Sequence, residues 1–226
     1  MLQRIRGAVP LSLAIALLSF AWVEVSLNFT FHWVTSGDLG VGLELPSNLQ
    51  LITPAAFIAW AVFFAAGADT PALVKTVVSS IVGASAALVL MLVSPKVADL
   101  PDFWGIALVI GVLVFIAVLL TVTGDGYYVP GVFVAFAAVV FWWFVTGLDG
   151  WAENGGGVGN SVKALGDPAT AGTGAFGGVL STPAEWVYVS SLLSLVCGGL
   201  LGYTSVKLAG VLGFLAGKPS NEMADA

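Results

Sequence analysis

Two sets of hydroxyl side chains have the spacing to do chemistry together. Thr76, Ser79 and Ser80 share one face of a helix at i, i+3 and i+4, and Ser190, Ser191 and Ser194 make a similar set. Such faces could hydrogen-bond a small uncharged solute without trapping it as a charged site would. The same residues could equally bind helix to helix, the usual work of Ser and Thr in a membrane bundle. Glu24 is the one carboxylate clearly inside an apolar run. A carboxylate in hydrocarbon costs about 2.5–3.5 kcal/mol on insertion scales, so it faces protein, water or headgroups. It reads either as a proton-accepting contact at the outer mouth of a pathway or as a group one turn from a helix end that reaches the headgroups.

Other chemistries find little to build on. One cysteine, Cys197, makes no internal disulfide, and one histidine, His32, makes no multi-histidine metal site. No nucleophile–base pair or carboxylate dyad can be assembled, so no enzyme, cofactor or metal is expected. Gly172, Gly174 and Gly177 match a dinucleotide fingerprint only formally, since no strand precedes them and no helix follows. His32 beside Trp33 could titrate near neutrality, but a lone interfacial histidine reads as a polar anchor. Seven basic residues against thirteen acidic ones leave no stripe for a phosphate backbone, which argues against nucleic acid as a partner.

The elements that must carry these residues are transmembrane helices. Of 226 residues, 58% are hydrophobic and 9% charged, against about 25% charged in soluble domains. The mean hydropathy of +1.01 suits lipid and excludes a soluble enzyme or a disordered tail. Six apolar stretches run at about 8–28, 50–67, 75–93, 103–122, 128–146 and 186–206, and none alternates as a barrel strand would. The expected fold is an all-α polytopic membrane protein with six transmembrane helices. The first stretch follows Arg4 and Arg6 but meets Trp22 and Glu24 where a cleavage site should lie, so it reads as a retained helix. Residues 147–185 hold eleven glycines in 39 positions, too polar to cross, and read as an external loop. Leu208 to Gly217 either prolongs the sixth helix or lies at the interface.

Charge asymmetry orients the chain. With the N-terminus inside, Arg4, Arg6, Lys75, Lys207 and Lys218 face inward against Lys96 and Lys163 outside. That expectation is a multi-pass protein of the inner (cytoplasmic) membrane with both termini cytoplasmic. Trp22, Trp33, Trp104, Trp142 and Trp143 fall near span ends and read as an aromatic belt.

The sequence also repeats. Pro54, Phe57 and Trp60 in the second stretch match Pro130, Phe133 and Phe136 in the fifth at an offset of 76, in the pattern P-x-x-F-x-A-[WF]-A. Val77–Ser80 matches Tyr188–Ser191 at an offset of 111, and the excess of 35 approximates the glycine-rich insert. The expected organisation is one membrane domain, 1–226, of two inverted three-helix repeats, about 8–93 and about 103–206, with the insert at 147–185. Chance similarity between apolar helices is the rival account.

The run Tyr128–Phe133 resembles the V-P-G-x-F segment of the YcdZ-type bacterial inner-membrane proteins. Ser191 through Gly198 and Gly202 to Tyr203 resembles a later segment of the same family. The resemblance runs from about residue 50 onward and departs in the first external loop and in the insert. It implies a multi-span membrane protein and brings no catalytic residues.

Two functional classes remain open. Paired hydroxyls, the repeat and few buried charges suit a channel or facilitator for a small, mostly uncharged solute. Gly198 and Gly202, spaced for close helix approach, suit instead a non-catalytic accessory subunit of a larger membrane complex, or a homo-oligomer. The lipid bilayer is a partner on either view.

Overall fold

The computed structural model describes residues 2–30, 49–97, 100–101, 104–146 and 183–215. His32, Trp33, Gly217 and the glycine-rich stretch as far as residue 182 lie outside the described residues, as do the Gly172–Gly177 pattern, Lys163 and Lys218.

Every described element is helical, and each apolar stretch holds one helix: α1 (Leu2–Asn28), α2 (Thr53–Ala65), α3 (Thr70–Val97), α4 (Trp104–Leu119), α5 (Val129–Thr146) and α6 (Ala184–Leu215). Four spans are long and apolar enough to cross a membrane, namely Gly7–Asn28, Thr70–Ser94, Trp104–Thr123 and Ala184–Leu215. The helical stretches Thr53–Ala65 and Val129–Phe144 are apolar but shorter. α6 absorbs the apolar tail beyond Lys207 as far as Leu215, so that tail prolongs the sixth helix. α3 runs from Thr70 through Pro95 to Val97, and so extends beyond both ends of the apolar stretch at about 75–93.

The short helices share one start. Thr53-Pro54 opens α2 and Val129-Pro130 opens α5, placing a proline where a helix has no internal use for the missing N–H. At about 1.5 Å per residue, the 13 residues of α2 rise only about 20 Å. The non-helical residues 49–52 ahead of it add up to about 13 Å at about 3.3 Å each. Helix and lead-in together therefore approach the roughly 30 Å of a hydrocarbon core.

Packing interlocks the two ends of the chain. α2 lies chiefly against α6, and α5 chiefly against α3, while α3 and α6 also pack on each other. Close approach explains the glycines. A Cβ on Gly198 would sit 2.7 Å from the Ala56 carbonyl carbon and against its oxygen, and one on Gly202 would sit 2.6 Å from the Phe63 ring. A Cβ on Gly83 of α3 would meet the Val132 carbonyl and lie 2.8 Å from the Phe136 nitrogen on α5. Gly198 and Gly202 thus pack on α2 of their own chain. α4 is the peripheral helix, with Trp104, Leu108 and Phe115 exposed on its outer face.

Candidate functional site: a polar node at the start of α2

Residues 50–52 run non-helically through the interior, where unpaired backbone groups would be costly. Gln50 is 3% exposed and Ile52 2%. Two hydroxyls of α6 and that of Thr30, just past α1, satisfy three consecutive amides. The Gln50 N–H donates to Ser190 Oγ at 3.0 Å, Leu51 N–H to Thr30 Oγ1 at 2.9 Å, and Ile52 N–H to Ser194 Oγ at 2.8 Å. Thr30 Oγ1 donates back to the Leu51 carbonyl at 3.1 Å. Around them, Trp22 Nε1 donates to the Thr53 carbonyl at 3.2 Å, and Ser26 Oγ shares a proton with Thr53 Oγ1 at 2.6 Å. Trp142 Nε1 donates to Gln50 Oε1 at 3.2 Å. The node joins α1, α2, α5 and α6 at one end of the bundle.

A counterpart lies at the start of α5. Ser79 Oγ donates to the Tyr128 carbonyl at 2.9 Å, which also accepts the Val132 N–H, the first bond of the helix. Gly131 makes room, since a Cβ there would lie 2.8 Å from the Ser79 side chain. Each short helix is therefore held at the residue before its first turn by a serine of a long helix.

The sequence-derived hydroxyls are all buried, and most are committed to backbone. Thr76 and Ser80 donate to the carbonyls of Ala72 and Thr76, both at 2.8 Å, and Ser194 also donates to the Ser190 carbonyl at 2.7 Å. Ser79, Ser190 and Ser194 fasten lead-ins. Ser191 Oγ differs, being a buried polar atom without a hydrogen-bond partner among the described residues. Where Thr76 approaches Gly199, α3 and α6 touch, which brings the two hydroxyl-bearing helices together on one line.

Glu24 is not part of this gathering. Its side chain points away from the bundle, where Asn28 Nδ2 donates to its carboxylate at 3.1 Å and to its carbonyl at 2.9 Å. Of the repeat residues, Trp60 is buried against Gly202 and donates from Nε1 to Ser205 Oγ at 3.3 Å. Phe57 stacks on it with ring centroids 5.9 Å apart. Pro54 and Pro130 are exposed, and Phe133 and Phe136 border a small apolar cavity with Ala117 and Val132. Of the tryptophans expected to form a belt, Trp104 is 69% exposed on the outside of the bundle. Trp22, Trp142 and Trp143 are instead buried in the bundle, the first two because their indole N–H groups serve the node.

Gln50, Thr30, Ser26 and Thr53 lie in or beside the polar break between the first two apolar runs, where spacing alone gives them no site role. A glutamine directly before an apolar run opening with Thr-Pro is the signal that was there to read.

Between α2 and α5, beside the node, lies an apolar cleft of about 450 Å³ lined by Ile52, Ala55, Ile58, Val134, Ala138 and Trp142, among others. Among the described residues, no three His, Cys, Asp or Glu side chains gather. The groups on hand are therefore neutral hydroxyls, an amide and indoles.

A family model described as a protein of unknown function, DUF1097, matches residues 12–210. The chain belongs to the DUF1097 family. No curated protein and no solved structure matches it. The apolar helices make this DUF1097 member a membrane protein.

Proposed function

We propose that this DUF1097 protein is a channel or facilitator for a small, mostly uncharged solute, with no catalytic step. The observation that carries the reading is the pair of proline-led short helices, each fastened at its start by a serine of a long helix, with the lead-in of α2 buried in the bundle. Short or proline-interrupted segments in corresponding positions of two halves mark the binding region of inverted-repeat transporters. Non-helical backbone at membrane depth is tolerated only where protein buries it or water lines it. The cleft between α2 and α5 has the size and apolar lining of a small-molecule site, with Trp142 linking it to the node.

We read α1–α3 and α4–α6 as inverted repeats, and corresponding contacts in the two halves support that reading. Ser79 grips Tyr128 and Ser194 grips Ile52, while Gly83 nestles on Val132 and Gly198 on Ala56. In both comparisons the short-helix residues differ by 76 and the long-helix residues by 115. The offset for the long helices thus exceeds the sequence match of 111 by about one helical turn. On this view the hydroxyls of α3 and α6 hold the short helices in place, and the solute passes along the α2–α5 cleft. Six spans, both termini on the cytoplasmic side and an inner-membrane location complete the proposal, in keeping with the YcdZ-type resemblance.

The test is solute flux in liposomes carrying the full chain, read by light scattering over a panel of small neutral solutes. Flux above empty vesicles, lowered when Ala138→Phe fills the cleft, is expected. Vesicles that behave as empty ones across the whole panel would end the proposal.

The second reading, an accessory subunit, draws on the exposed notch of α4 lined by Trp104, Leu108 and Gly111, among others. Purification in mild detergent as a lone homo-oligomer would count against it.

A further inference from the structure

A large groove lies far from the node, toward the other end of α2. It opens where α1 begins, α2 ends and α6 nears its end, encloses about 720 Å³, and has walls that include Leu11, Ile15, Phe64 and Val206. Lys207 is the one charged side chain among its lining residues, and the turn residues Gly67 and Ala68 close one side. The ammonium sits 5.1 Å from the centroid of the Tyr203 ring, a contact that places it without neutralising its charge. Asp69, the acid next to the closing turn, is occupied in capping α3, where its Oδ1 accepts the Ala72 N–H at 2.7 Å.

An apolar trough topped by a lysine that no carboxylate among the described residues neutralises, level with a helix-connecting turn, matches an anionic phospholipid in both parts. We infer that this groove binds an anionic phospholipid of the adjoining leaflet, with an acyl chain along Leu11, Ile15 and Phe64 and the phosphate at Lys207. Basic pockets between transmembrane helices take anionic headgroups for the same reason. The site makes no use of the α2–α5 cleft, so it stands or falls independently of solute flux.

Gly210 gives a clean handle. It lines the groove, and a Cβ there meets nothing within 4 Å, so a larger side chain enters the groove without striking protein. Native mass spectrometry of the full chain in mild detergent, with synthetic phosphatidylglycerol or phosphatidylcholine of identical acyl chains, reads the binding. The wild type should retain phosphatidylglycerol preferentially. Lys207→Gln should lower that preference about five-fold, the effect of one lysine at an anionic surface, and leave phosphatidylcholine unchanged. Gly210→Leu should reduce both lipids, and Lys96→Gln at the other end of the bundle should change neither. Equal retention of the two lipids by the wild type, or an unchanged preference in Lys207→Gln, would overturn the assignment. Inorganic phosphate binding to lipid-free wild type, and not to the Lys207 variant, would assign the site to a free anion and overturn it as well.

Discussion

Ser191 and Ser194 stand three residues apart on α6, both fully buried, and the structure assigns them opposite energetic roles. Ser194 Oγ accepts the Ile52 N–H and donates to the Ser190 carbonyl, whereas Ser191 Oγ has no partner among the described residues. Truncating Ser194 to Ala leaves the Ile52 amide buried and unpaired in a segment with no helical bond to fall back on. That orphan costs about 1–3 kcal/mol, more than the roughly 0.6 kcal/mol averaged by interhelical bonds in membrane bundles. Truncating Ser191 removes a group that already bears its burial penalty unrelieved, so the change should be neutral or stabilising by up to about 2 kcal/mol. For a chain of this size, about 1 kcal/mol moves Tm by roughly 2–4 °C. Ser194→Ala should therefore melt roughly 2–12 °C below the wild type and Ser191→Ala at or above it, by tryptophan fluorescence in one detergent. Equal destabilisation by the two variants, or the larger loss at Ser191, would refute the reasoning.

Glycines at close approaches should be intolerant, and a glycine in open space should not. Gly198→Ala and Gly83→Ala drive a methyl into backbone of α2 and α5 and should cost about 1–3 kcal/mol or more, whereas Gly111→Ala should be silent in the same melts. Tyr127, in the turn before α5, donates its phenol to the Ala117 carbonyl, and burial raises its pKa above the ordinary 10.0. The folded state thus favours the protonated phenol, so this contribution to stability is present below pH 10.0 and is lost as pH rises through the raised folded pKa. The ultraviolet titration difference between wild type and Tyr127→Phe should show one phenolate forming above pH 10.0. In a Cys197→Ser background, Asp125→Cys should react with an impermeant maleimide from the cytoplasmic side and Pro183→Cys from the opposite one. Labelling of both from one side would exclude the six-span topology.

The helices were legible because apolar content and breakers define each one, and all six runs hold a helix where composition put it. The start of α2 was not legible. Periodicity reports how a helix faces its neighbours, and it is silent about non-helical backbone that borrows hydroxyls from residues far along the chain. The shared faces of Thr76, Ser79 and Ser80 and of Ser190, Ser191 and Ser194 were legible from their spacing. Their partners were not, since spacing on one helix cannot tell a solute from a carbonyl on another. Gly198 and Gly202 announced a close approach without saying that α2 of the same chain makes it. Gly83, which does the same for α5, has no second glycine at the fourth place to draw notice. Glu24 was read from its hydropathic setting, and only the bundle shows which way its helix face turns.

The bonds that fasten the start of α2 have a bearing on how the protein is made. The amides of Gln50 and Ile52 find their acceptors 140 and 142 residues later in the chain. At translation speeds of about 5–20 residues per second, those serines emerge roughly 7–28 s after the amides they must meet. Throughout that interval the nascent second segment is a 13-residue helix whose entry strand has two unsatisfied donors, a poor candidate for stable residence in lipid on its own. Those two bonds form only once Ser190 and Ser194 have been made, so the final seating of the α2 lead-in follows the synthesis of α6. A ribosome stalled before Ser190 would leave a segment that the insertion machinery, or the water beside it, has to hold.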